Sequence, residues 1–246
     1  MNNKSKFFSG LLACTLFSLV FTASPKAIEA SATESKQDTE LVFVVDKSGS
    51  MHHLADDTIG SFNSVIEEQK KPDKEGNVYV TTVMFNQNSE KVHERKDIKD
   101  VEKITKEKYC PSGCTALLDA VGNTITELSG NESVKKNKVM FVVITDGYEN
   151  SSKEFKKEDV KKLIDEKTKE NWQFIFLGAN IDSVKEGGSI GISAKYTRNF
   201  EASGEGIKGA FACIGSAVDQ LRSNKAINLD EIKHDTECVN STKSEK

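Results

Sequence analysis

The chain has 246 residues, with 34 lysines and arginines against 38 aspartates and glutamates, for a formal net charge of −4. At 37% hydrophobic and 29% charged it can bury a core, which excludes a disordered polyelectrolyte. The mildly acidic balance offers no broad electrostatic footprint for nucleic acid or anionic lipid, so no nucleic-acid partner is expected.

The first 32 residues read as a signal peptide. Lys4 and Lys6 make a short positive start, Phe7 to Ala23 is nearly unbroken apolar sequence, and Ala30-Ser31-Ala32 supplies small residues for cleavage before Thr33. The expectation is a secreted, extracellular chain with no membrane insertion after cleavage. An uncleaved anchor formed by residues 7–23 is the alternative, at the short limit for a spanning helix. Leu11-Leu12-Ala13-Cys14 resembles a lipoprotein box, but the apolar run continues past Cys14 where a lipid-modified end would be polar.

Residues 33–38 form a polar lead-in, and 39–223 then alternate strand and helix patterns. Leu41 to Val45 is a continuous apolar run, as in a strand covered on both faces. Val78 to Phe85 reads as a second strand, followed by a turn at Asn86–Ser89. Lys91 to Ile98 is too polar to be central and predicts an antiparallel edge strand. Val139 to Ile144 and Trp172 to Leu177 are two more buried strands, with a short final one at Lys195–Phe200. Apolar residues at helical spacing predict helices near 55–70, 116–129 and 157–169, and a last one carrying Ile207, Phe211, Ile214 and Val218. Gly187 to Gly191 reads as a turn, since it lacks the preceding strand and the spacing of a dinucleotide fingerprint. From 224 to 246 the pattern dissolves into a polar tail, expected to be disordered. The expected fold is one doubly wound α/β domain, with a mostly parallel sheet, one antiparallel edge strand and helices on both faces.

Ligands of such sheets bind beyond the carboxyl ends of the strands. The first strand runs into Asp46-Lys47-Ser48-Gly49-Ser50, and the third long apolar strand ends in Thr145-Asp146-Gly147. Because the edge strand runs antiparallel, residues 99–114 must bring the chain back up. Thr115 then falls on the same edge as Asp46 and Asp146. This set is all oxygen, part hydroxyl and part carboxylate, which suits Mg²⁺ or Mn²⁺ better than Zn²⁺. With few carboxylates, the ion would keep positive charge to attract an acidic group from outside. Each residue also has a plainer use: Asp46, Ser48 and Thr115 as helix caps, Asp146-Gly147 as a turn.

Asp46-x-Ser48-x-Ser50, Thr115 and Asp146-Gly147, in this order, resemble the complete metal-ion-dependent adhesion site of the von Willebrand factor type A family. The wording Asp-Lys-Ser-Gly-Ser-Met, Cys-Thr-Ala-Leu-Leu-Asp-Ala and Ile-Thr-Asp-Gly-Tyr-Glu-Asn is similar to stand-alone bacterial members. The resemblance implies that Ser48, Ser50 and Thr115 bind the ion directly, with Asp46 or Asp146 acting through water. It also implies a protein ligand presenting Asp or Glu. The family's Thr-x-x-x-Asp spacing suggests Asp119 as an acceptor behind the ligands, with a plain helix-terminus carboxylate as the other reading.

His52-His53 read as solvated surface, and Glu149 and Asn150 as loop, with an extension of the binding rim as their other reading. A bridge between Cys110 and Cys114 requires the loop to fold back; Cys213 reads as core and Cys238 belongs to the tail. The expected function is a secreted or surface binding module rather than an enzyme. The rivals are a metal-dependent phosphotransferase or hydrolase, which needs a second carboxylate where Ser48 stands, and a surface assembly protein with a purely structural metal.

Overall fold

The computed structural model describes residues 37–71, 74 and 76–232. The proposed signal peptide with its anchor and lipoprotein alternatives, residues 33–36, Cys238 and the tail from 233 lie outside the described residues.

Six strands form one sheet: β1 (Thr39–Asp46), β2 (Val78–Phe85), β3 (Ser89–Asp97), β4 (Lys138–Thr145), β5 (Gln173–Gly178) and β6 (Thr197–Asn199), in the order β3-β2-β1-β4-β5-β6. Only β3 is antiparallel, hairpinned onto β2 as its alternating polar pattern predicts. Side chains of β1 alternate faces: Leu41, Phe43 and Val45 enter one core, Val42 and Val44 the other. This two-sided burial explains the unbroken apolar run. The first core is roofed by α1 (Ala55–Gln69) and α5 (Gly204–Arg222), through Phe62, Val65 and Ile66 against Ile207, Phe211 and Ile214. The second is roofed by α2 (Leu117–Ser129) and α3 (Lys157–Lys169), joined by α4 (Ser183–Ser189).

The connection from β1 leads to β2 on one side, and that from β4 leads to β5 on the other. Their chains part between the carboxyl ends of β1 and β4, opening the crevice where open α/β sheets bind ligands.

Three features depart from the sequence reading. Residues 49–54 form a 3-10 helix that carries His52 and His53, with Met51 and Leu54 buried beneath. Gly187 to Ser189 close α4 rather than making a free turn; a Cβ on Gly187 would lie 2.6 Å from Thr197 Cγ2, so glycine is what lets this helix seat beside β6. The expected disorder from 224 is corrected as far as 232. Ile227 and Leu229 are buried in the first core, and Arg198 pairs with Asp230 at 2.5 Å.

Candidate metal centre

Asp46 closes β1 as a fully buried carboxylate. Its Oδ1 accepts the Ser48 N–H at 2.6 Å, and its Oδ2 accepts the Thr145 hydroxyl of β4 at 2.6 Å. The Tyr109 hydroxyl donates to the Asp46 carbonyl at 2.5 Å from beneath. Ser48 holds the position before the 3-10 helix, yet its side chain makes no capping bond. Instead its Oγ lies 3.1 Å from Ser50 Oγ, and Ser50 Oγ donates to Asp146 Oδ1 at 2.5 Å. Thr115 comes one residue before Ala116, the N-cap of α2. A Cβ built on Gly147 would stand 3.6 Å from Ser50 Oγ and 3.7 Å from Thr115 Oγ1. The structure therefore brings Asp46, Ser48, Ser50, Thr115 and Asp146 to one spot in the crevice, and the missing side chain at Gly147 keeps it open.

Electrostatics sharpen the point. Burial pushes the Asp46 carboxyl up to about 6, against the lowering effect of the Thr145 and Ser48 hydrogen bonds, and the nearby charge of Asp146 adds to the rise. Burial also raises Asp146, opposed by the Ser50 hydrogen bond. Asp146 Oδ2 is buried without a hydrogen-bond partner. A buried carboxylate oxygen left unpaired is costly, and a cation satisfies it. Among the described residues no three His, Cys, Asp or Glu gather as a metal cluster. Two carboxylates with three hydroxyls fit a hard divalent ion taking oxygen ligands, not a thiolate or imidazole site.

Asp119 holds the neighbouring loop. Its carboxylate accepts the backbone N–H groups of Lys153, Glu154 and Phe155 at 2.7–2.9 Å and so clamps the chain entering α3. Cys110 and Cys114 are both exposed and free, with no bridge between them, while Cys213 is buried in α5. The loop they flank is held by other means. Gly113, at φ +78°, accepts the Gly49 N–H at 3.0 Å, and Ser112 N–H donates to the Lys47 carbonyl at 2.8 Å. His52 and His53 are exposed, and His53 Nδ1 lies 2.8 Å from the Ser50 carbonyl.

Glu149 and Asn150, read from the sequence as loop, tie the Asp146 loop to α2. Asn150 Oδ1 accepts the Thr115 N–H at 2.9 Å, and Asn150 N–H donates to the Thr115 carbonyl at 3.0 Å. Glu149 accepts from the N–H groups of Leu118, Ser151 and Ser152. The signal for this in the sequence was the run Asp146-Gly147-Tyr148-Glu149-Asn150.

Residues 40–207 match the model of the von Willebrand factor type A domain. The chain belongs to this family. No curated protein matches the sequence. Among solved structures, this type A domain is similar to the pilus adhesin SpaC of Lactobacillus rhamnosus GG in its open conformation (TM-score 0.61, 13% identity, covering 80% of this chain and 31% of that one). It is also similar to proximal thread matrix protein 1 of the mussel byssus, solved with a zinc-occupied MIDAS motif (TM-score 0.55, 17% identity, 74% and 46%). A third is the type A protein of Catenulispora acidiphila (TM-score 0.52, 14% identity, 74% and 42%). At these identities the likeness is one of fold, and the chain spans less than half the length of each. No helix among the described residues is long and apolar enough to cross a membrane.

Proposed function

We propose that this type A domain is an exported binding module whose Asp46, Ser48, Ser50, Thr115 and Asp146 hold a Mg²⁺- or Mn²⁺-type ion, and that it captures an acidic side chain of a protein partner there. The observation that carries the reading is the unpartnered, buried Oδ2 of Asp146 beside three converging hydroxyls. A bound divalent ion would supply the positive charge that a partner carboxylate needs. The protein's own part is to fix the oxygens. Thr145 and the Ser48 N–H lock both oxygens of Asp46, Asn150 holds the Thr115 backbone, and Gly147 leaves the approach clear. The adhesin SpaC and the byssal matrix protein, both bearing this fold, support a binding role over a catalytic one.

The test is a pull-down from the extracellular medium and cell surface with the full chain, in Mg²⁺ and again in EDTA. Recovery of a protein only in Mg²⁺, lost with Ser50→Ala, is the expected result. Equal recovery in EDTA, or turnover of phosphoesters by the purified protein, would overturn it.

A further inference from the structure

Among the described residues the large hydrophobic side chains left exposed are Tyr148, at 53%, and Val184, at 40%. Tyr148 lies on the edge of the sheet that carries the metal centre, and Val184 lies in the first turn of α4. Tyr148 follows β4 and Val184 follows β5, and these strands pair in register to their ends, Thr145 against Gly178. An exposed apolar residue by itself is ordinary on a protein surface. The loop that presents Tyr148 is not ordinary.

Every residue around Tyr148 is anchored. Thr145 Oγ1 bonds Asp46 and the Gly147 backbone, Ser50 binds Asp146, Glu149 is held by α2 and its own turn, and Asn150 is bonded twice to Thr115. Tyr148 alone makes no hydrogen bond among the described residues. Folding thus fixes the backbone on both sides of an aromatic side chain and leaves the ring to solvent. A rigidly presented aromatic loses little freedom when it is covered, which is the property of a binding anchor.

We infer that Tyr148 is the specificity surface of the metal centre, and that it takes an aliphatic or aromatic residue next to the partner's Asp or Glu. This rests on the acidic-ligand reading above. Consecutive Cα atoms are about 3.8 Å apart, and Tyr148 is one residue from Gly147, whose Cβ position lies against Ser50 and Thr115. A segment with its carboxylate at the centre therefore brings its next or next-but-one side chain over the ring. A partner whose acidic residue is flanked only by polar or charged residues would leave Tyr148 in water and bind more weakly.

The test uses the immobilised full chain and a random-peptide phage library, bound in Mn²⁺ and eluted with EDTA. The eluted peptides are expected to be enriched in Asp or Glu with an apolar residue one or two positions away. Tyr148→Ser should weaken a selected peptide about tenfold, Tyr148→Phe should not, and neither should change Mn²⁺ affinity. Acidic peptides without an apolar preference, or unchanged binding by Tyr148→Ser, would overturn the inference while sparing the acidic-ligand reading. No EDTA-eluted peptides, or none enriched in acid, would overturn that reading and this inference with it.

Discussion

Ser50 is the hinge of the site at the residue scale, because its hydroxyl faces Ser48 and donates to Asp146. It is exposed, so Ser50→Ala opens no core cavity but removes one oxygen donor. We expect Mn²⁺ affinity to fall about 10–100-fold with the circular dichroism unchanged, as read by calorimetric titration. The carboxylates add a pH dependence. A metal ligand must be deprotonated, and Asp46 is raised to about 6 with Asp146 raised as well. Metal affinity should therefore drop as pH falls below about 6. Without metal the sign is opposite for stability: the folded chain holds the Asp46 proton more tightly than the unfolded one, so its contribution is full below the ordinary value of 3.8 and is lost as pH rises through about 6. Denaturant melts of the metal-free protein across that window would check it. The convergence of Asp46, Ser48, Ser50, Thr115 and Asp146 was legible in the sequence because Asp46 and Asp146 stand at strand ends, Ser48 and Ser50 follow the first, and Thr115 precedes α2. Asn150 and Glu149 were not, because their partners lie about thirty residues away and are backbone groups, which leave no pattern in side-chain chemistry.

Elements position these residues through loops that are themselves held by side chains. Asp119 clamps three backbone N–H groups ahead of α3, so Asp119→Ala should destabilise the domain by roughly 1–3 kcal/mol in a denaturant melt. Its place one helical turn after Thr115 suggested a role behind the ligands, and the contacts of its side chain are with the neighbouring loop. Gly113 is a second control point. Its φ of +78° is left-handed, and a Cβ there would stand 1.7 Å from Gln87 Oε1, the acceptor of the Cys114 N–H. Gly113→Ala should lower the melting temperature by straining the wall of the site. The strands and long helices were readable because β1 and β4 are apolar on both faces and α2 and α5 keep a helical stripe. The 3-10 helix at 49–54 and α4 were not. The first is only six residues long, too short for a helical stripe, and the second contains Gly187-Gly188, whose poor propensity is overridden by packing against β5 and β6.

For the whole molecule, the two cores make the fold independent of the ion, so metal should add to stability without being required for it. Binding to the native state alone contributes RT ln(1 + [L]/Kd), about 2.7 kcal/mol at a hundredfold excess over Kd. The domain should thus stay folded in EDTA and melt several degrees higher in Mn²⁺. The central claim is that Asp46, Ser48, Ser50, Thr115 and Asp146 form one divalent-ion site. Its most direct test is calorimetric titration of Mn²⁺ into the EDTA-stripped full chain, beside Ser50→Ala and Thr115→Ala variants of verified fold. One ion per chain, weakened at least tenfold in both variants, is the predicted result. No binding by the parent chain, or equal binding by all three proteins, would contradict the account.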